Sequence, residues 1–295
     1  MANLKEVKGR IQSIKSTQQI TKAMKMVAAA KLRKAQDRII QMRPYSQKLS
    51  EIIQNVSANS QSEEIENPYA EERSVNSVLL VVVTSDRGLC GAFNSSIFKY
   101  TKLLIEEKYR SQEASGNLHI LPIGKKSLEF FTKRKYNVIS EYSHLIEKLN
   151  FDEARDAAEM IMDQFVKGEF DQVEIIYNEF KNVATQIVQN EQFLPIKDVT
   201  SDEITDSNAD YIYEPSQDFI FSELLPKSLK IQFYKTLLES NASEHGARMT
   251  AMDKATENAD ELLKELRLTY NRTRQAAITK EILEIVGGAE ALAQG

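Results

Sequence analysis

The sequence predicts an α/β protein in which long N- and C-terminal helices pair as an antiparallel coiled coil, with an open α/β sheet domain inserted between them. Three observations predict it. Apolar residues alternate at three and four positions from Leu4 to Val56; the alternation returns near the other end of the chain; and between the two the pattern changes to short buried strands separated by helical runs. The composition agrees: no tryptophan, 10 glycines, 6 prolines and 27% charged residues suit a helix-rich chain.

The first helix, residues 1–58, carries its seam on Leu4, Val7, Ile11, Ile14, Gln18, Thr21, Lys25, Ala28, Leu32, Ala35, Ile39, Met42, Ser46, Leu49, Ile53 and Val56. Heptad spacing keeps one stripe facing a partner, and at ~1.5 Å per residue such a helix reaches roughly 80 Å, too long for a globular core. Pro44 lacks an amide donor and is expected to interrupt and bend it. Polar Gln18, Thr21 and Lys25 thin the seam in its middle.

Residues 216–295 are expected as the C-terminal helix that pairs with the first, its long regular run beginning near Ala242 with a natural stop at Gly287-Gly288. Its seam reads Met252, Ala255, Ala259, Leu262, Leu266, Thr269, Thr273 and Ala276, with small residues that let a partner approach closely. A compact insertion that returns the chain to its starting point makes the pair antiparallel.

In the middle, residues 75–215, the strands are Val78 to Thr84, His119 to Ile123 and Tyr136 to Ile139. Helices follow them: one capped by Asn94 or Ser95 through about Tyr109, one from Lys126 to Lys135, and one capped by Asn150 or Asp152 through about Val166. This alternation implies an open, Rossmann-like sheet. Gln172 to Phe180 and Ala184 to Leu194 read as a hairpin. The acidic stretch 197–210 has no apolar period and reads as an exposed loop.

Charge is unevenly spread: residues 1–57 hold about nine positive charges net and residues 58–241 about twelve negative. One end attracts an acidic partner while the body repels nucleic acid, which places a nucleic-acid role low. The longest apolar run, Val78 to Val83, is too short to cross a bilayer, so a membrane is reached only through other proteins. The first residues resemble neither a secretory nor an organellar leader, which predicts a protein at the cytoplasmic face. Cys90 is the single cysteine, so the chain builds no internal disulfide and no Cys-based metal site.

The segment Thr84-Ser-Asp-Arg-Gly-Leu-Cys-Gly-Ala-Phe-Asn94 follows a buried strand and precedes a helix, a position at which α/β folds often bind phosphate. Gly88 and Gly91 match neither the dinucleotide fingerprint nor a P-loop, and the expected structure is a tight turn with a small buried thiol. His119, His144 and His245 lie on different elements with no metal-ligand spacing, and His245 reads as a helix-surface residue. Asp152-Glu153 and Asp260-Glu261 are neighbours that point apart, poor geometry for an acid/base pair.

Ile20-Thr-Lys-Ala-Met-Lys-Met-Val-Ala-Ala-Ala-Lys31, Arg43-Pro-Tyr45, Ser85-Asp-Arg-Gly-Leu-Cys-Gly91, Ala242-Ser-Glu-His-Gly-Ala-Arg-Met-Thr-Ala-Met252 and Tyr270-Asn-Arg-Thr-Arg-Gln-Ala-Ala-Ile-Thr-Lys-Glu281 resemble, in order and over nearly the whole chain, the gamma subunit of rotary F-type ATP synthases. The resemblance implies a non-catalytic central stalk of a proton-translocating machine, bound to the ring of alpha and beta subunits, to the epsilon subunit and to the membrane c-ring. It implies no cofactor and no metal here, because the chemistry belongs to the partners. It implies a peripheral protein at the inner membrane of a bacterium.

By residue, the resemblance implies that Lys22, Met24 and Lys25 meet an acidic lever segment of beta. Arg274, Gln275 and Thr279 resemble a cluster that hydrogen-bonds a loop of the ring, and Arg248 is expected in a similar role. A lone Cys90 argues against the paired-thiol control of plastid relatives. Two other readings are a coiled-coil scaffold, and an α/β enzyme whose turn at Ser85 to Asn94 binds a phosphate ligand.

Overall fold

The computed structural model describes residues 4–59, 67–196 and 217–293. The acidic stretch 197–210 lies outside the described residues, as do the side chains of Ile53 and Val56. The chain divides into two compact units, Met1–Ala28 with Met249–Gly295, and Ala29–Arg248. Each contains one part of α1 (Leu4–Asn59) and one part of α6 (Gln217–Ala293).

In the first unit α1 and α6 run antiparallel. Gln18 Nε2 donates to Asp260, the Thr21 and Thr256 hydroxyls lie 2.8 Å apart, and Lys25 Nζ is 2.5 Å from Asp253, so numbers rise on one helix as they fall on the other. On α1 every seam position from Leu4 to Leu49 is buried or half-buried. On α6 the stripe that turns inward is Met252, Thr256, Ala259, Leu263, Leu266, Tyr270, Thr273 and Ala277. Leu262, Thr269 and Ala276 are exposed, so at these three positions the phase expected from sequence is one residue early, while Ala255 is half-buried as expected. A heptad seam has two adjacent readings when both columns carry apolar or small residues, and only contact with the partner chooses between them.

Two expected breaks are absent. Pro44 lies inside α1, which continues past it between the buried Ile39 and Leu49; packing on either side offsets the lost hydrogen bond. Gly287 and Gly288 lie inside α6, since glycine disfavours a helix by only ~1 kcal/mol relative to alanine and does not forbid one.

α6 also starts 25 residues before Ala242. Between Leu225 and Ala247 it buries side chains on several faces, among them Leu229, Ile231, Phe233, Leu237, Leu238 and Ala242. Phe233 packs on Phe193, Tyr234 on Phe151, and Lys230 pairs with Glu159. A helix packed on several sides shows no single stripe, which hides its period in the sequence. The same packing buries His245, expected on the surface.

The rest of the second unit is a five-stranded sheet in the order β3-β2-β1-β4-β5: Asn137–Val138, Leu118–Ile123, Val78–Val83, Gln172–Phe180 and Gln186–Leu194. The first four are parallel and β5 is antiparallel to β4. All six residues of β1 are buried, as expected of a central strand covered on both faces. The intervening helices are α2 (Phe93–Lys108), α3 (Arg110–Ser115), α4 (Lys125–Lys133) and α5 (Phe151–Val166). Asn150 caps α5, its Oδ1 accepting from Glu153 N at 2.8 Å. Neither Asn94 nor Ser95 caps α2. The N-cap is Ala92, and Asn94 turns instead to Ser85. Gly124, between β2 and α4, has φ +102°, and a Cβ there would lie 2.2 Å from the carbonyl oxygen of Thr84. Only glycine lets α4 start so close to the end of β1.

Candidate subunit-contact site

β1 stands where the strand order reverses, since its crossovers lead to β2 on one side and, through β3, to β4 on the other. The crevice beyond its C-terminal end is the position at which open α/β sheets bind ligands. Here the turn from Ser85 to Asn94 is stitched shut. Ser85 Oγ donates to the carbonyl of Arg87 at 2.7 Å, Asn94 Nδ2 donates to Ser85 Oγ at 2.8 Å, and Asn94 Oδ1 accepts from Ser85 N at 3.1 Å. Cys90 is 2% exposed, and its Sγ accepts from Asn94 Nδ2 at 3.4 Å. Asp86 Oδ1 accepts from Lys125 N at the start of α4.

The chain's own α6 occupies this end of the sheet. A Cβ on Gly246 would lie 3.3 Å from Phe180 and 3.6 Å from Val183, Ala247 packs with Cys90 and Phe93, and Arg248 donates to the carbonyls of Arg87 and Gly88. Glu244 and Arg248 form an ion pair at 2.6 Å. Burial raises the Glu244 pKa, against the opposing pull of Arg248. His245 is pushed down to about 4 by burial and by the positive charges of Lys31 and Arg248. Arg248, expected in a subunit contact, has a side chain 12% exposed and is engaged within the chain.

In the first unit the polar break in the seam is a set of matched pairs. Thr21 is buried; its hydroxyl lies within reach of Gln18 O and that of Thr256 within reach of Met252 O, and one of the two donates across to the other. Lys25 is half-exposed and holds Asp253, while Lys22 is exposed and Met24 half-buried. Ile20, Met26 and Val27 stand exposed beside them. Asp253, Asp260 and Thr256 were not picked out as partners from the sequence; the pairs show a constant register, their residue numbers adding to 277 or 278.

By that register Leu4 lies level with about residue 274, and α6 continues past the first described residue of α1. Arg274, Gln275 and Thr279 fall at this transition and are exposed, with Thr279 Oγ1 donating to Gln275 O at 3.0 Å. Beyond them Ile278, Ile282, Leu283, Ile285 and Val286 are all exposed, Ile285 by 71%. Among the described residues no helix is long and apolar enough to cross a membrane.

Paired terminal helices with an inserted α/β sheet, and exposed side chains left open on the helix pair, fit the class of a subunit of a larger assembly. The family model described as ATP synthase matches residues 3–292. The chain is 61% identical over 294 residues to the ATP synthase gamma chain of Cytophaga hutchinsonii, covering 99% of each, and 53% identical over 293 residues to that of Flavobacterium psychrophilum, again covering 99% of each. A solved chain from the central stalk and c-ring of the Tetrahymena thermophila mitochondrial ATP synthase matches with a TM-score of 0.56 and 26% identity, covering 80% of this chain and 99% of that one. A chain of the Euglena gracilis mitochondrial ATP synthase shares the fold at a TM-score of 0.65 and 20% identity, covering 98% of this chain and 94% of that one. The chain belongs to the ATP synthase gamma-chain family and is a non-catalytic, central-stalk component of that complex.

Proposed function

We infer that the chain is the rotating shaft that couples proton flow through the membrane c-ring to ATP synthesis and hydrolysis on the beta subunits. The observation that carries this reading is the bare end of α6. Ile278, Ile282, Leu283, Ile285 and Val286 crowd onto a single helix with no covering partner among the described residues, and an apolar run of this kind marks a surface that a partner covers. The ring of alpha and beta subunits is that collar, with Arg274, Gln275 and Thr279 at its contact with α6.

Lower on the pair, Lys22, Met24 and Lys25 face an acidic lever of beta. Lys25 keeps about a third of its side chain exposed while holding Asp253, so it is pre-oriented and still open to a second carboxylate. Turning such an uneven pair presents different faces to otherwise identical beta subunits and biases each toward a different nucleotide affinity. The α/β domain meets the epsilon subunit and the c-ring. The chain then lies peripherally at the cytoplasmic face of a bacterial inner membrane, touching the bilayer only through these partners.

Mass measurement of the purified native assembly tests the reading. One copy of the chain with six ring subunits is expected; a self-associated dimer of the chain without ring subunits overturns it in favour of a scaffold.

A further inference from the structure

We propose that Arg248 is a positioning residue that acts inside the chain: with Glu244 it clamps the β1–α2 turn to α6 so that turn and helix move together, which rests on the coupling role inferred above. The guanidinium donates through Nη1 to the carbonyl of Gly88 and through Nη2 to that of Arg87 at 3.2 Å, and Nη2 also reaches Glu244 Oε1 at 2.6 Å. Glu244 lies one helical turn earlier on α6, so it aims the fork instead of leaving it to sweep. Both side chains are largely withdrawn from water, 12% and 9% exposed, where charge-assisted bonds are strongest.

The place that the clamp holds is the one that most needs holding. Ser85 and Asn94 tie the base of the turn, whereas Arg248 reaches its outer limb, directly before Leu89. Leu89 has φ +63° and is 67% exposed. Leucine leaves the left-handed region unless its surroundings impose it, and an exposed side chain imposes nothing. Without the clamp, force on the turn would bend the loop; with it, the force reaches α6 directly. A lysine at position 248 is a point charge and cannot replace both bonds of the fork.

Cys90, the single cysteine, sits in this turn and is nearly inaccessible, which makes it a built-in reporter. The full-length chain and its Arg248→Ala and Arg248→Lys variants are compared by the rate of Cys90 alkylation with iodoacetamide and by backbone hydrogen exchange. The assembled complex in vesicles is compared by protons pumped per ATP hydrolysed. Arg248→Ala is expected to speed alkylation roughly tenfold, the scale set by losing charge-assisted bonds that keep a segment closed. Faster exchange is expected to be confined to residues 85–92, with fewer protons pumped per ATP and partial recovery of each readout in Arg248→Lys. Unchanged alkylation, exchange raised throughout the chain, or faster alkylation with undiminished pumping overturns the proposal. If the wild-type complex itself pumps no protons on hydrolysing ATP, the coupling reading fails, while the thiol rate still decides the clamp.

Discussion

The hydroxyls of Thr21 on α1 and Thr256 on α6 lie 2.8 Å apart, 235 positions apart in sequence, at the centre of three polar pairs that set the antiparallel register of the terminal helices. Each hydroxyl has a single proton, so one threonine donates across the pair while the other donates to a carbonyl of its own helix, Gln18 O or Met252 O. Polar layers of this kind cost stability relative to an apolar seam and gain a unique alignment.

A double-mutant cycle measures that trade. Thr21→Val or Thr256→Val alone should destabilise by about 1 kcal/mol, because the remaining hydroxyl loses a cross-helix partner in a buried layer. The double variant should be nearly as stable as the parent, since two isosteric apolar groups replace the pair. Urea unfolding of the full-length chain checks both.

Arg274→Ala and Gln275→Ala should impair coupled turnover of the reconstituted complex and leave nucleotide affinity largely intact. Both side chains are exposed at the level where α6 outruns α1, so their loss leaves the chain's own packing intact and removes only the proposed contacts to partners. Wild-type rotation and ATP synthesis in these variants would refute their place in the ring contact.

Stability should fall with acid, in part through His245. Its folded pKa is lowered to about 4 from an ordinary 6.5, so below that ordinary value the unfolded chain takes up a proton that the fold refuses. The contribution is complete above about pH 6.5 and is lost as pH falls toward 4, on the order of 2–3 kcal/mol in total. Glu244, with its pKa raised, acts in the opposite sense at the acid end. His245→Gln should therefore flatten the fall between pH 7.5 and 5 in urea midpoints, and an unchanged slope would remove His245 from the account.

Much of the fold was legible because periodicity is a local consequence of burial. Leu4 to Leu49 read as a seam and face inward at every seam position. Val78 to Val83 read as a central strand and are wholly buried. Asn150 read as a helix cap and caps α5. The failures lie where more than one surface competes for the same residues. From Leu225 to Ala247, α6 is packed on several sides, which hid its period and the burial of His245. Asn94 has the chemistry of a cap, and Ser85 claims it instead.

What the sequence determined by itself is the class of each element, two heptad helices and an inserted α/β sheet, together with the family motifs. Those depend on which residue types recur at which spacing. The tertiary structure decided the phase of the α6 stripe, Leu263 and not Leu262. It decided that Lys25 answers Asp253, and that Arg248 turns in to the carbonyls of Arg87 and Gly88. The last two join residues more than 150 positions apart. No local pattern encodes such a pairing, because a helix surface offers several directions and only the packed partner selects among them.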